Sequence, residues 1–187
     1  MTVWSAPDKG RRVCFYAELV TTLETGRLVL RPLTGDDFEE YAAMMADPEV
    51  GEFLGAEGGM SREVAWRNLA MVIGHQEIRG YSTWAVVEKD TGRLVGRVGP
   101  WRPEGWPGLE IGWCVSRDSW GKGYATEAAR AAVAFCFDEL GADEVISLIR
   151  VENVRSVRVA ERIGHTYLRD GDVMGVPCRV YGQSRQA

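Results

Sequence analysis

Residues 109–126 read LEIGWCVSRDSWGKGYAT, an apolar stretch followed by a glycine-containing loop and the start of an alanine-rich segment. The apolar part, residues 109–115, predicts a buried strand, and residues 121–140 predict a helix. Gly121 and Gly123 permit tight bends and a close approach of a ligand to the main chain. Because the first N–H groups of a helix are unpaired and lie at the positive end of its dipole, this turn predicts an anion site that suits a pyrophosphate.

Two other kinds of phosphate-binding loop are excluded by spacing. A nucleotide P-loop has the pattern GxxxxGK[ST], whereas Lys122 precedes Gly123 and residue 116 is serine. The dinucleotide pattern GxGxxG lacks its third glycine here, because Thr126 takes that position. Lys122 either adds charge to the anion site or points to solvent, and the two glycines alone are equally typical of a plain strand-to-helix turn.

Strand and helix patterns alternate on both sides of this segment. Two predicted helices begin at the capping residues Thr34 and Ser61. A hairpin is predicted around the turn at 90–92, and the proline-rich stretch 100–108 is predicted to be an irregular loop. The predicted strands are 27–32, 82–87, 93–98, 109–115, 144–151 and one containing Val180 and Tyr181, and the later helices are 121–140 and about 153–163.

This order predicts a single domain of the α/β or α+β class, because no repeat or Pro/Ser-rich linker divides the chain. The domain is assigned to residues 21–187, and residues 1–20 are interpreted as an N-terminal extension without a clear hydrophobic period. His75, late in the helix after Ser61, is expected at the surface. The apolar side of that helix is expected to comprise Val64, Leu69, Val72 and Ile73.

The composition excludes several classes of protein. A net charge of −5 argues against general nucleic-acid binding, which needs a basic face. No apolar run reaches the roughly 20 residues that span a bilayer, and residues 1–20 have no signal-like apolar core, so we expect a cytoplasmic protein that does not enter membranes. Four separated cysteines and two histidines form no metal-ligand pattern, so we expect reduced thiols and no metal.

Residues 120–128 (WGKGYATEA) and 151–165 (VENVRSVRVAERIGH) follow the strand at 109–115 in a characteristic order. Residues 23–41 (LETGRLVLRPLTGDDFEEY) and 81–96 (YSTWAVVEKDTGRLVG) complete the pattern. Together the four segments resemble the GNAT superfamily of acetyltransferases, in particular the branch that contains the acetylases of ribosomal-protein N-termini. The resemblance covers about residues 23–183, nearly the whole predicted domain.

The resemblance implies an acyl-CoA N-acyltransferase fold, a mixed central sheet flanked by helices. In this fold acetyl-CoA, the co-substrate, lies between two splayed parallel strands, here 109–115 and 144–151, and no metal is implied. Asp118 departs from the Gln or Arg usual at its position, so it is expected to point away from the phosphates or to be offset by Arg117. The coenzyme-binding residues that the resemblance assigns are Cys114, Val115, Trp120, Gly121, Lys122, Gly123, Tyr124, Ala125, Thr126, Asn153 and Ser156.

The residues with proposed chemical roles have alternative interpretations. Asn153 and Ser156 match an NxxS pattern that touches the coenzyme near its sulfur, although Asn153 also suits a helix cap. Glu110 lies where some relatives carry a catalytic carboxylate, and burial would raise its pKa and make it a general base. As a strand residue it is alternatively outward-facing. The tyrosine that many relatives use to protonate the thiolate is replaced by Ala160, which leaves Ser156 or a water as proton donor.

Three further side chains bear on the site. Cys114 is interpreted as a packing thiol and not as an acyl carrier, because no histidine neighbours it in the sequence. Trp101 and Trp106, on the proline-rich stretch, either line the acceptor pocket or pack locally.

These assignments predict transfer of an acetyl group from acetyl-CoA to a primary amine by direct attack in a ternary complex, with the N–H near Val115 polarising the carbonyl. The acceptor is either a protein N-terminus, as in the related branch, or a small-molecule amine. The alternative is a non-catalytic acyl-CoA-binding sensor or assembly module. Neither nucleic acid nor a membrane is a predicted partner, and the sequence leaves open whether the chain forms a homodimer.

Overall fold

A mixed sheet of eight strands lies at the centre of the structure, a computed structural model that describes residues 21–55 and 58–185. The predicted extension, residues 1–20, lies outside the described residues. The strands are β1 (Leu23–Glu24), β2 (Leu28–Pro32), β3 (Trp84–Glu88), β4 (Leu94–Trp101), β5 (Glu110–Val115), β6 (Glu144–Arg150), β7 (Thr166–Val173) and β8 (Val176–Ser184). The helices are α1 (Phe38–Ala46), α2 (Pro48–Gly51), α3 (Arg62–Arg79), α4 (Tyr124–Asp138) and α5 (Val154–Arg162), with 3-10 turns at Gly35–Asp37, Glu52–Leu54 and Arg117–Ser119.

The two parallel neighbours in the sheet, β5 and β6, separate soon after they meet. The strand order is β1-β2-β3-β4-β5-β6-β8-β7, and the register of β5 with β6 is confined to Glu110 opposite Ile146. The Ile146 N–H donates to the Leu109 carbonyl at 2.9 Å, and the Ser147 hydroxyl donates to the Ile111 carbonyl at 2.7 Å. Beyond these contacts the strands diverge toward their carboxyl ends, which confirms the predicted pair of splayed parallel strands.

Helices cover both faces of the sheet. α4 packs on one face through small residues, among them Ala128, Ala129 and Ala132, which let the helix lie close to the strands. α1 and α3 pack on the opposite face through Tyr41, Met45 and other buried residues. The sheet is therefore the middle of three layers.

The predicted caps form, with one change in the first helix. The Asp37 carboxylate accepts hydrogen bonds from the Thr34 N–H at 2.8 Å and from the Thr34 hydroxyl at 3.2 Å. The first turn after Thr34 is a 3-10 turn, and the α-helix begins only at Phe38. At the next cap the Ser61 hydroxyl accepts from the Val64 N–H at 3.4 Å.

Two predicted boundaries are wrong. α4 begins at Tyr124 and not at residue 121, because Gly121 and Gly123 adopt positive φ angles of 79° and 84° that a helix does not allow. β4 continues through Pro100 to Trp101, although the stretch 100–108 was expected to be irregular throughout. Pro100 lies two residues beyond Val98, which pairs with Trp84 at the start of β3. At Pro100 there is no β3 residue to pair with, so the missing N–H removes no hydrogen bond from the sheet.

Two side-chain predictions on α3 are also wrong. Val64 lies outside the core and is 43% exposed, whereas His75, predicted at the surface, is only 6% exposed. The His75 ring stacks on Trp101 with centroids 4.2 Å apart, and its Nε2 accepts from the Arg102 N–H at 3.2 Å. The end of α3 is therefore covered by the loop after β4, a long-range contact that helical periodicity does not contain.

A second hairpin closes the sheet. The sequence predicted a strand at Val180 and Tyr181, and β8 confirms it. The structure adds β7 as its antiparallel partner, joined through the turn residues Met174 and Gly175. In the described part of the chain no helix combines the length and the apolar character that a membrane crossing requires.

Candidate functional site

The gap between β5 and β6 is bordered by main-chain groups at the end of β5. Hydrogen bonds alternate along an antiparallel pair, and the Ser116 N–H donates to the Val95 carbonyl of β4 at 2.9 Å. The main chain of Cys114 therefore faces Arg97 in β4, whereas the main chain of Val115 faces the gap. Of the two strand-end residues assigned to the coenzyme, Val115 is the one whose main chain is directed to it.

Trp120 holds the loop after β5 in place. Its main-chain N–H already donates to the Arg117 carbonyl at 3.1 Å, and its indole N–H donates to the Val115 carbonyl at 2.8 Å. The Arg155 guanidinium of α5 lies over the Trp120 ring at 4.3 Å. Since the Trp120 amide is occupied, this residue positions the loop between β5 and α5 and offers no free N–H of its own.

The rest of this loop has free N–H groups. The first helical bond of α4 is donated by Glu127 to the Gly123 carbonyl at 3.1 Å. Within the described residues, no hydrogen bond is donated by the main-chain N–H groups of residues 121–126. An added Cβ on Gly121 would meet no atom within 4 Å, so the loop borders open space. Free N–H groups at the start of a 15-residue helix make the predicted anion site.

Charged side chains of the loop are paired with neighbours outside it. Asp118 turns to Arg93, with 3.5 Å between the carboxylate and the guanidinium. Arg117, expected to offset Asp118, instead lies 3.1 Å from Glu49. The Lys122 ammonium lies 4.0 Å from the Glu88 carboxylate. The N–H groups of the main chain, and not these side chains, are therefore directed to the anion site.

A basic cavity of about 640 Å³ adjoins the start of α4. It is bordered by Arg27, Arg130 and Arg162 together with Gly123 and Thr126. Arg27 pairs with Glu127 at 2.6 Å and donates to the Lys122 carbonyl at 2.9 Å, so it also tethers the glycine loop to β2.

The start of α5 lies on the other side of the gap. The Asn153 carbonyl oxygen accepts from the Ser156 N–H at 3.0 Å, so Asn153 does cap this helix. The Ser156 hydroxyl oxygen accepts from the indole N–H of Trp113 in β5 at 3.1 Å. This bond joins β5 to the start of α5 and leaves the hydroxyl proton of Ser156 available to a ligand.

Glu110 begins β5; the residue as a whole is half-buried, but its carboxyl is surrounded by protein atoms. The Trp106 indole N–H donates to Glu110 Oε2 at 2.7 Å. Burial raises the pKa of Glu110 to about 7, against the lowering effect of the Trp106 hydrogen bond, a hydrogen bond from the Leu148 N–H and the positive charge of Arg97. Glu110 is therefore not an outward-facing strand residue. A carboxyl with a pKa near 7 has the property required of a general base at neutral pH.

Arg97 is a residue that the sequence analysis missed. Its Nε is buried and has no hydrogen-bond partner among the described residues, and its charge acts on both Glu110 and Cys114. A charged residue inside an apolar strand is the signal that singled out Glu110, and it applied equally here. Burial raises the pKa of the Cys114 thiol to about 11, so Cys114 is a neutral packing thiol at physiological pH.

A second cavity, of about 420 Å³, is lined in part by Trp106, the residue whose indole N–H donates to Glu110. It lies between the loop that follows β4 and the β7–β8 turn, and Met71 of α3 also lines it. Trp101 and Trp106 both line this cavity, and Trp101 also packs locally against His75, so the two expected interpretations both stay open.

These features fit a coenzyme that has a pyrophosphate and an extended arm. The free N–H groups and the two glycines suit the pyrophosphate, and the gap between β5 and β6 suits the arm. Within residues 21–55 and 58–185, no cluster of His, Cys, Asp or Glu that could hold a metal ion is found.

Comparison with known proteins agrees with this geometry. A family model described as an acetyltransferase (GNAT) domain matches residues 27–166. The chain belongs to the GNAT acetyltransferases. The uncharacterized protein YkkB of Bacillus subtilis is 32% identical over 164 residues, which cover 86% of this chain and 94% of YkkB.

Solved structures show the same fold. An acetyltransferase from Agrobacterium tumefaciens is 29% identical to this GNAT acetyltransferase, with a TM-score of 0.80 over 89% of this chain and 95% of the other. A ribosomal-protein-S5-alanine acetyltransferase from Vibrio fischeri shares the fold at 13% identity, with a TM-score of 0.70 over 88% and 96% of the two chains. The predicted family is confirmed by the family model, and the second neighbour shows the fold alone.

This GNAT protein is thus an acetyl-CoA-dependent acetyltransferase. Acetyl-CoA is the co-substrate of the family in general, and the family acts on acceptors that carry an amine.

Proposed function

We propose that this acetyltransferase moves the acetyl group of acetyl-CoA directly to a primary amine while both substrates are bound. The observation that carries the proposal is the position of Glu110. Its buried carboxyl, with a pKa of about 7, lies at the base of the gap between β5 and β6 and contacts Trp106, which lines the 420 Å³ cavity. A base therefore stands between a site suited to the coenzyme and a site suited to an acceptor.

The chain offers a set of groups for the coenzyme. In this proposal the N–H groups of residues 121–126 hold the pyrophosphate, and the basic cavity with Arg27 and Arg130 receives the nucleotide end. When bound, acetyl-CoA supplies an acetyl group that is activated as a thioester. The Val115 N–H polarises its carbonyl, and Asn153 orients Ser156 toward the sulfur.

Glu110 removes a proton from the acceptor ammonium, which frees the nitrogen lone pair. The nitrogen forms a bond to the acetyl carbonyl carbon as the carbon–sulfur bond breaks, and the sulfur leaves as a thiolate. Of the two protons that the nitrogen loses, one passes through Glu110 to solvent. The sulfur gains a proton from the Ser156 hydroxyl or from water, and the second proton of the nitrogen returns to that donor. The products are the N-acetylated amine and CoA.

Direct attack is favoured over an acetyl-cysteine intermediate. The thiolate and not the thiol is the nucleophile, and the raised pKa of Cys114 keeps it neutral. Membership of an acetyltransferase family likewise favours an enzyme over the non-catalytic acyl-CoA module.

Calorimetric titration tests the coenzyme half of the proposal. Acetyl-CoA should bind with a micromolar dissociation constant, about −8 kcal/mol, whereas ATP should not bind. Desulfo-CoA should bind more weakly than acetyl-CoA, since it lacks the thioester. Folded protein that shows no heat with any CoA species would overturn the proposal. Release of free thiol on addition of primary amines then tests the transfer step.

A further inference from the structure

The 420 Å³ cavity has a lining that limits what it can bind. Its volume lies in the usual range for small-molecule sites, roughly 300–1,000 Å³. Most of the lining is apolar, with the rings of Trp101 and Trp106, the side chain of Met71 and that of Met174. A ligand with an apolar or aromatic body would bury its surface here.

The polar groups of the cavity are acidic. Glu104 and Asp172 line it, and none of its lining residues is a lysine, arginine or histidine. Glu104 is exposed and forms an ion pair with Arg79, with 3.1 Å between Oε2 and Nη2. Asp172 accepts a hydrogen bond from the Gly175 N–H at 2.8 Å. A cationic ammonium group matches this lining, and an anionic acceptor does not.

Met174 at the rim has an unusual backbone conformation. It is the one non-glycine residue with a positive φ (53°) among the described residues, and its side chain is 90% exposed. Such hairpin turns favour Asn or Gly, because other side chains are strained there. A strained apolar residue at the rim of a cavity points to a role in binding that outweighs turn stability.

The cavity is connected to the proposed base through one side chain. Trp106 lines the cavity and donates its indole N–H to Glu110 at 2.7 Å. An ammonium group held against this ring would therefore lie beside the carboxyl that is to deprotonate it.

We infer that this cavity binds the acceptor and selects small primary amines that carry an aromatic or branched apolar group, with Met174 covering that group. The inference rests on the proposed function, since it names the acceptor of that same site.

A panel of amines tests the inference. With saturating acetyl-CoA, 2-phenylethylamine and tryptamine should show kcat/KM values at least tenfold above those of ethanolamine and putrescine. Equal or better turnover of the polar amines would overturn it. A clear preference for short peptides with a free N-terminus would overturn it as well, because a peptide chain extends beyond a cavity of this size.

Variants of the turn give a second test with opposite effects on stability and binding. Met174→Asn should raise Tm by about 2 °C or more, since Asn suits the turn. The same change should raise KM for 2-phenylethylamine about fivefold, with the affinity for acetyl-CoA unchanged. Met174→Leu should keep the parental KM. An unchanged KM in Met174→Asn would contradict the inference.

One control variant and one further test variant separate the causes of failure. Ile78→Asn removes an apolar side chain of α3 that is 81% exposed and does not line the cavity, and KM should not change. Asp172→Asn retains an acceptor for the Gly175 N–H but removes the charge, so KM for all cationic amines should rise. If acetyl-CoA binds and amines release thiol without any aromatic preference, the inference fails and the proposed function stands. If folded protein binds no acetyl-CoA, the proposed function itself fails.

Discussion

The two sides of the gap between β5 and β6 are built in different ways. The side proposed to hold the coenzyme comes mainly from one contiguous stretch, residues 115–126, and uses main-chain N–H groups. The side proposed to bind the acceptor combines Met71, the loop around Trp106 and the turn at Met174, three segments far apart in the sequence, and uses side chains. A site made of main-chain groups depends on local conformation, whereas a site made of distant side chains depends on the whole fold.

The largest effect is expected from Glu110→Gln, which removes the proposed base on the acceptor side. The amide cannot accept the proton, so kcat should fall about 100- to 1,000-fold. The affinity for acetyl-CoA should stay within about twofold, because the coenzyme side is untouched. Steady-state kinetics and calorimetry on the same preparation measure both quantities. Equal losses of kcat and affinity would show a structural glutamate and would remove the distinction between the two sides.

Gly123→Val should have the next largest effect, on the coenzyme side. Gly123 has a φ of +84°, where a β-branched residue is strained, and an added Cβ would lie 3.6 Å from Arg27, the residue that tethers the glycine loop. We expect the affinity for acetyl-CoA to fall about 100-fold, roughly 2.7 kcal/mol. Gly141→Val is the matched control, since Gly141 has a φ of +64° after the end of α4 and lies outside the site. Comparable losses of affinity in both variants would indicate general strain and not a phosphate site.

The stability of Glu110→Gln should depend on pH in a defined direction. The folded pKa of about 7 lies above the value of about 4.3 for an unfolded chain, so the native state holds an extra proton between these pH values. The free energy of unfolding of the parent therefore falls as the pH rises through this window, by roughly 3–4 kcal/mol in total.

The free energy of unfolding of Glu110→Gln should not fall with pH in this window, because glutamine does not titrate. The variant should be more stable than the parent at pH 8 and similar to it at pH 4.5, as measured by urea unfolding at both pH values. Identical pH profiles for the two proteins would mean that the carboxyl titrates normally.

Trp106→Phe should shift the pH dependence of activity. The Trp106 hydrogen bond lowers the pKa of Glu110, so its loss raises that pKa. The fall of kcat/KM on the acid side, expected near pH 7 in the parent, should move to higher pH, with several-fold lower activity at pH 6.5 and little change at pH 9. Trp66→Phe is the control, because Trp66 is an exposed tryptophan outside the cavity. If the fall of kcat/KM on the acid side stays at the same pH, Trp106 does not set the pKa of the catalytic base.

Ser156→Ala should have the smallest effect. Its hydroxyl is proposed to donate to the sulfur, and one hydrogen bond contributes about 1 kcal/mol. We expect a loss of up to about tenfold in acetyl-CoA affinity, with Ser184→Ala at the exposed end of β8 as control. If kcat falls much more than affinity, and solvent isotope effects rise, Ser156 acts as the acid itself.

Much of the fold was predictable because it depends on local patterns. Caps at Thr34 and Ser61 and the turn at residues 90–92 place α1, α3 and the β3–β4 hairpin close to their true positions. The positions of Val64 and His75 were not predictable from helical spacing, because which side of α3 is buried depends on the loop that packs over its end.

By itself the sequence determined the family, the element order and the glycine loop with its helix start, because these follow from local conformation and from motif spacing. Tertiary structure alone decided that Glu110 is buried with a raised pKa, that Trp106 and Arg97 act on it, and that Met71 and Met174 share a cavity. Burial and electrostatics are sums over neighbours brought together by the fold. A residue's chemistry therefore stays open until its neighbours in space are known.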